Sequence, residues 1–423
     1  MTDLEIVQIT SKVEEWPTIK VVEEATTDPD WQPRPFVEFV VKLNSRCNLS
    51  CDYCYVYELQ DESWKDQPKS MTKFTIDKAA QRFGEHMRAH RDQLDLAKVV
   101  LHGGEPLLAG AELIGYLATK FREETPPGMG IDFRVTTNGT LLDDAILEVL
   151  SAHEINVYVS LDGEREANDR HRKYANGNGS FDTVLRGIEA LTAPRHQGLF
   201  AGVLCTIDIE NDPVETYDTL VSLGSPMIDF LLPHGNWTQP PPAWEGPDGG
   251  TPYADWLMPI FDRWYDAPVK PISVRIFDEI LNLILGGHSS IEVVGLSPFQ
   301  SLTIDTNGSI DFCHQLKSAY SGAQTTGLHV LRDSLDSLLL HPGVVARQRG
   351  TEALCETCTA CPIGKVCGGG LYAHRYRAGT GHLNPSVYCS DLFKLITYMR
   401  DRVLSDIRSA TEGAGAAKSE ATV

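Results

Sequence analysis

Between Phe36 and Tyr265 the chain alternates between two hydrophobic periods. Short apolar, β-branched runs are separated by longer stretches in which apolar residues return every three or four positions. Phe36–Leu43 (FVEFVVKL) has the first character and reads as a buried strand. Thr75–His90 has the second, with Ile76, Ala80, Phe83 and Met87 on one helical face. The pattern then predicts strands at Lys98–His102, Ile131–Thr136, Asn156–Leu161, Ala201–Ile207 and Met227–Leu232. Helices follow them at Gly110–Glu123, Asp143–His153, Phe181–Leu191, Pro213–Leu223 and Tyr253–Tyr265. Six βα units in succession imply an α/β fold with a parallel sheet, because each crossover helix returns the chain to the same end. An incomplete barrel and an open doubly wound sheet fit this pattern equally.

Outside that region the character changes. Gly235–Gly250 (GNWTQPPPAWEGPDGG) is too rich in Pro and Gly for regular structure, and it leaves the last predicted strand as a candidate substrate-contact loop. After a helix at Arg275–Leu285, Leu302–Ile304 and Ser309–Phe312 flank an Asn307-Gly308 hairpin turn that ends at Cys313. A helix is expected from Ser390 to Arg408. The expected division is an N-terminal extension (1–30) packed on the main domain, a βα domain (31–270), a Cys-rich domain (271–410) and a disordered polar tail (411–423).

Charge narrows the function classes. The 58 acidic and 37 basic residues give a formal charge of −21, a field that repels nucleic acid and anionic lipid surfaces. No apolar run is long enough to cross a membrane, and the N-terminus lacks the features of a signal peptide, so a cytoplasmic protein is expected. Thiols stay reduced in that compartment, and the ten cysteines need a role other than disulfides. Cys205 lies alone in an apolar run and reads as core; the other nine fall at 47–54 and 313–389.

Cys47, Cys51 and Cys54 form C-x3-C-x2-C just after the first strand. Three thiolates can hold three irons of a 4Fe–4S cubane and leave the fourth open to another ligand. Structural zinc prefers four protein ligands, and no fourth lies nearby. In parallel βα folds ligands bind at the C-terminal ends of strands, where this loop must lie.

These residues resemble the signature of the radical SAM superfamily, with Tyr53 as the aromatic before the third cysteine. His102-Gly103-Gly104-Glu105-Pro106 is similar to that family's GGEP segment. Thr136-Thr137-Asn138-Gly139-Thr140 and Val159-Ser160-Leu161-Asp162-Gly163 resemble its later strand ends, and Asn168-Asp169-Arg170-His171-Arg172 resembles its H-D-x-x-R stretch, with Asn168 in place of His. The resemblance implies a partial (β/α)6 TIM-type barrel that binds S-adenosylmethionine. It assigns cofactor contacts to Tyr53, Gly103, Gly104, Glu105, Pro106, Thr136, Asn138 and Ser160, and a pairing of Arg172 with the cofactor carboxylate. It further implies one-electron cleavage of the cofactor to a radical that takes a hydrogen atom from the substrate, and an electron donor of flavodoxin or ferredoxin type.

Cys355-x2-Cys358-x2-Cys361-x5-Cys367, with Cys389 beyond and Cys313 upstream, is too dense for core packing and reads as a metal site. It resembles the SPASM extension, a smaller Cys-rich domain with a β-hairpin and helices that carries auxiliary 4Fe–4S clusters. In that resemblance Cys358, Cys361, Cys367 and Cys389 hold the distal auxiliary cluster. The chain departs from the pattern at Leu371, where a cysteine is usual, and in having no cysteine 9–15 residues before Gly308. Cys313 and Cys355 are candidate ligands of a second auxiliary cluster, so one or two are expected.

The segment from Cys367 to Cys389 resembles FxsB-type maturases of ribosomally made peptides, which implies a precursor-peptide substrate and an aromatic-ring-to-Cβ cross-link, a cyclophane. His314, beside Cys313, is the candidate proton acceptor. The alternatives are formylglycine formation of the anaerobic sulfatase-maturase type and a non-catalytic metal-bearing peptide scaffold.

Overall fold

The structure, a computed structural model, describes residues 15–196, 198–246 and 249–420, with side chains to residue 410. Its strands are β1 (Glu38–Asn44), β2 (Leu96–Gly103), β3 (Gly130–Thr137), β4 (Asn156–Ser160), β5 (Phe200–Thr206), β6 (Met227–Leu231), β7 (Ser273–Val274), β8 (Ser301–Ile304), β9 (Ser309–Asp311) and β10 (Leu328–His329). The helices before the Cys-rich region are α1 (Ile19–Thr27), α2 (Lys73–Ala89), α3 (Gly110–Glu124), α4 (Asp144–Ala152), α5 (Arg165–His171), α6 (Phe181–Thr192), α7 (Pro213–Ser222), α8 (Pro252–Tyr265) and α9 (Arg275–Ile284). Around the C-terminal cysteines lie α10 (Pro342–Gln348), α11 (Glu356–Thr359), α12 (Gly364–Cys367) and α13 (Cys389–Glu420).

β1 to β7 lie side by side in chain order, and every neighbouring pair is parallel. A doubly wound sheet reverses its order at a switch point. This one never does, so the sheet winds one way as a partial barrel. Alternation along the strands separates two faces. Val99, Leu101, Phe133, Val135, Val157 and Val159 are buried, and the Phe133 ring packs under Arg122 of α3. The opposite face is polar: the Arg134 guanidinium lies 5.7 Å from the Tyr158 ring centre, and Asp132 accepts from Arg134 Nε (2.8 Å) and Asn156 Nδ2 (3.0 Å). The barrel interior is therefore built for polar contents.

The Asn307-Gly308 turn forms as expected, with Gly308 at φ +95° and its N–H donating to Asp305 O. Its hairpin is not a separate sheet. β8 pairs in parallel with β1, from Glu38↔Ser301 to Val41↔Ile304, and β9 and β10 continue outward from it. Buried ion pairs reinforce the join, Lys42–Asp305 at 2.8 Å and Lys317–Asp61 at 2.7 Å. Removing one partner of either would strand a buried charge, at a cost of about 3–5 kcal/mol.

The flanks differ from expectation. Residues 1–14 of the predicted extension lie outside the described residues. Its α1 packs Val21 and Ala25 against Val345 and Ala346 of α10, so it rests on the C-terminal region and not on the barrel. The closing helix α13 continues to Glu420, past the end expected at Arg408 and into the segment expected to be a disordered tail. Ala, Glu and Lys there are good helix formers; residues 421–423 lie outside the described residues. The 235–250 loop is tied to the C-terminal region, with Trp237 Nε1 donating to Pro385 O (2.7 Å) and Asn236 Nδ2 to Ser318 O (2.8 Å). Asp391 of α13 caps α8 by accepting from Tyr253 N and Ala254 N.

Candidate functional site

The parallel strands deliver their C-terminal ends to one rim, and the loop bearing Cys47, Cys51 and Cys54 leaves β1 there. The three thiols are half-buried and free of disulfides. Cys47 Sγ accepts from Leu49 N at 3.4 Å and Asn138 Nδ2 at 3.7 Å. Burial pushes the Cys47 thiol up to about 12 and Cys54 to about 11, and raises Cys51 despite the nearby Arg172. Such thiols become thiolates at neutral pH only if a cation takes up their charge, which is what a metal cluster does.

The Gly103-Gly104 pair presses the end of β2 against this loop. Gly104 N donates to Asn44 O and Glu105 N to Arg46 O, both at 2.9 Å. A Cβ on Gly104 would fall 1.8 Å from Tyr57 Oη and 2.6 Å from the Arg46 carbonyl, so no larger residue fits. Glu105 is fully buried. Its Oε1 accepts from Leu107 N (2.9 Å) and Thr137 Oγ1 (2.8 Å), and its Oε2 from Asn138 N (2.7 Å). Most of its acceptor capacity thus binds β2 to the end of β3, with capacity left on Oε2. Burial raises its pKa to about 6, against the pull of those donors. Replacing Glu105 with Gln turns an amide donor toward donors; the expected loss is about 2–4 kcal/mol, read as an earlier melting midpoint. Thr137→Val, which deletes one donor, should cost about 1 kcal/mol.

Asn138 locks the rim from the other side. It donates to Asn48 Oδ1 at 2.8 Å and accepts from Thr140 N and Oγ1. Thr136 and Ser160 are half-buried and lie on the barrel-facing side of β3 and β4, with Arg134 and Tyr158. Pro106 opens the short turn after β2.

Tyr53, Asp162 and Arg172 form one buried chain. Tyr53 Oη donates to Asp162 Oδ2, and Arg172 Nη1 donates to Tyr53 Oη at 2.7 Å. Arg172 is only 7% exposed and its Nε has no partner, which leaves a desolvated guanidinium beside Cys51 ready for a carboxylate. Asn168, where the resemblance expects His, is fully buried and donates to Ser180 Oγ, which in turn donates to Arg172 O at 2.7 Å. The substitution keeps Arg172 in position.

Across the mouth, four histidines and a tyrosine converge. His102 and His314 lie with ring centres 4.4 Å apart, Tyr55 lies 4.6 Å from His234, and His374 Nε2 is 3.4 Å from His234 Nδ1. Burial lowers His102 and His234 to about 4 and His314 and His374 well below their ordinary value. All four are uncharged at neutral pH.

The second thiol group gathers Cys355 at the start of α11, Cys358 on it, Cys361 between α11 and α12, Cys367 on α12 and Cys389 at the start of α13. Buried Arg375 braces it through Gly368 O (2.8 Å) and Gly370 O (2.7 Å). Cys313 is not brought to them; its Sγ lies 3.4 Å from Arg347 Nη1. A cavity of about 180 Å³ opens beside Cys389, between the 237–252 loop and Asp391.

Residues 41–213 match the model of the Radical SAM superfamily. They form a radical SAM domain. The chain is similar to the serine-type anaerobic sulfatase-maturating enzyme of Klebsiella aerogenes, 26% identical over 367 residues, 84% of each chain. It is similar to the cysteine-type enzyme of Clostridium perfringens, 23% identical over 382 residues, 88% of this chain and 98% of that one. The structure of native anSMEcpe with bound AdoMet superposes with a TM-score of 0.72 at 22% identity, covering 87% of this chain and 98% of that one. Streptococcus suis SuiB bound to its precursor peptide SuiA gives 0.53 at 15%, covering 91% and 84%. The fold is thus that of a radical SAM barrel with a Cys-rich C-terminal region. This radical SAM enzyme takes a 4Fe–4S cluster and S-adenosylmethionine, and its residues fit both: three thiols without a fourth, and a buried guanidinium with hydrogens to spare. No helix among the described residues is long and apolar enough to cross a membrane.

Several contributors were not read from sequence. Asp162 and Thr137 lay within the motif segments but were assigned no role there. His102 lay within the quoted HGGEP segment. His234 and His374 carry no local signal, because four distant segments meet only in the fold.

Proposed function

We propose that this chain removes a hydrogen atom from a side chain of a ribosomally made precursor peptide and joins that carbon to an aromatic ring, forming a cyclophane. The observation that carries the reading is the uncharged wall of His102, His234, His314, His374 and Tyr55 at the barrel mouth. Imidazole and phenol edges suit an aromatic side chain. The bound cluster and S-adenosylmethionine supply the hydrogen-atom abstraction. Tyr53, Asp162 and Arg172 orient that cofactor, and half-buried His102, His234 and His314 with buried His374 limit the access of water to the reacting carbon. Closing the ring requires the arene to release one proton and one electron. His314 Nδ1, buried and without a hydrogen-bond partner, is the candidate proton acceptor. Cys358, Cys361, Cys367 and Cys389 would hold an auxiliary cluster, which supplies a one-electron acceptor. A flavodoxin- or ferredoxin-type donor would reduce the first cluster. The peptide bound to SuiB supports a peptide substrate.

The likeness to sulfatase-maturating enzymes across most of their length favours a second reading, oxidation of Cys or Ser to formylglycine. Mass alone does not separate cyclophane from Ser oxidation, since each removes two hydrogens. A hydrazide reagent does: it tags the aldehyde and leaves the cross-link untouched. The expected product from an aromatic-containing peptide is hydrazide-inert and resists fragmentation between the linked residues. A hydrazide-reactive product overturns the cyclophane. His314→Ala should preserve 5′-deoxyadenosine release and cut product by about 10²-fold.

A further inference from the structure

We infer that the chain carries one auxiliary 4Fe–4S cluster, and that a protein plug centred on Arg347 fills the place of a second. The inference rests on the radical SAM reading and is independent of the product formed.

Ten cysteines are available. Three belong to the rim loop, five converge at α11–α13, and Cys205 is buried in β5 among apolar neighbours. Cys313 is what remains, and a cubane wants four ligands. The partners of Cys313 are not metal donors. Its Sγ faces the Arg347 guanidinium, a fixed cation that competes with iron for a thiolate. Arg347 Nε donates to Glu292 Oε1 at 2.7 Å and Nη2 to Glu292 Oε2. The guanidinium is sandwiched, with its carbon 3.3 Å from the Phe299 ring centre and 4.9 Å from that of Tyr372.

Of the positions where further thiols were sought, one lies at this spot and the other is next in sequence to a residue that does. Phe299 falls in the window 9–15 residues before Gly308, and Leu371 precedes Tyr372. Both Phe299 and Leu371 are buried and apolar. The cavity alongside, between Glu292, Arg347 and Tyr372, is about 40 Å³. That volume holds a few waters and no cubane. Arg347 makes paired hydrogen bonds, aromatic stacking and a thiol contact at once, so the site is packed as a fastening between the 292–299 segment, α10 and the Tyr372 turn.

Metal counting on the full-length, anaerobically reconstituted protein tests this. Iron and acid-labile sulfide should each come to about eight per chain, two cubanes. Cys313→Ser should leave both counts unchanged, and Cys361→Ser should lower each by about four. Arg347→Met should lower the melting midpoint with no change in iron. Loss of about four irons in Cys313→Ser, or about twelve irons in the parent, overturns the plug. About four irons in the parent, unaltered by Cys361→Ser, removes the single auxiliary cluster instead. Each result leaves the cyclophane and formylglycine readings to be decided separately by their products.

Discussion

Changing any one of Cys47, Cys51 or Cys54 to Ala should abolish 5′-deoxyadenosine release and remove about four irons per chain, while the C-terminal thiols keep theirs. The argument is one of ligand number. Three thiols face the rim, and no spare cysteine stands near to replace a lost one, since Cys205 is buried in β5 and Cys313 is held by Arg347. A site of three ligands that loses one cannot retain a cubane against chelators. Iron analysis, the visible absorption of the cluster and chromatographic assay of 5′-deoxyadenosine read the three parts of the prediction independently. Retention of full iron with activity in any of the three variants would show that the rim loop is not the catalytic cluster site.

The second large effect is expected at Arg172. Arg172→Met should raise the Kd for S-adenosylmethionine by about 10²–10³-fold, because a buried charged hydrogen-bond partner is worth about 2–5 kcal/mol. Arg172→Lys should recover only part of this, since an ammonium lacks the planar fork that meets a carboxylate. The fold should tolerate both changes. Asp162 keeps its bonds from Tyr53 and Thr206 N, and Ser180 holds the backbone of residue 172 by its carbonyl. Binding is measured calorimetrically on reconstituted protein with iron content as the control. An unchanged Kd at unchanged iron would remove Arg172 from the cofactor site.

How much was legible depended on the range of each interaction. Strands and helices of the barrel were readable because β-branched runs and 3.6-residue periods are local, and they match the structure to within a few residues at each end. The winding of the sheet was not readable from periodicity, because strand order depends on which distant edges pair; the partial barrel was implied by the motif resemblance alone, and the structure agrees with it. The three rim cysteines and the GGEP stretch are contiguous, so their chemistry showed in the sequence. Thr136 and Thr137 show the limit at the scale of one residue: adjacent positions on a strand face opposite ways, and only the fold shows that Thr137 is the one bound to Glu105. Arg172 was singled out only by its resemblance to the H-D-x-x-R stretch; its burial at the end of α5 depends on the fold. Cys313 reads as a candidate metal ligand from its neighbours in sequence, whereas its contact with Arg347, 34 residues later, shows only in the fold.

The union of β8 with β1 bears on how the protein can be cut and how it can move. A fragment ending near residue 270 would expose the bare edge of β1, hydrogen-bonding groups unpaired over Glu38–Val41, and such an edge invites aggregation. Expression of the isolated barrel should therefore yield insoluble material. The same continuity ties the Cys-rich region to the barrel through the β1–β8 ladder, so the two are expected to move as one body.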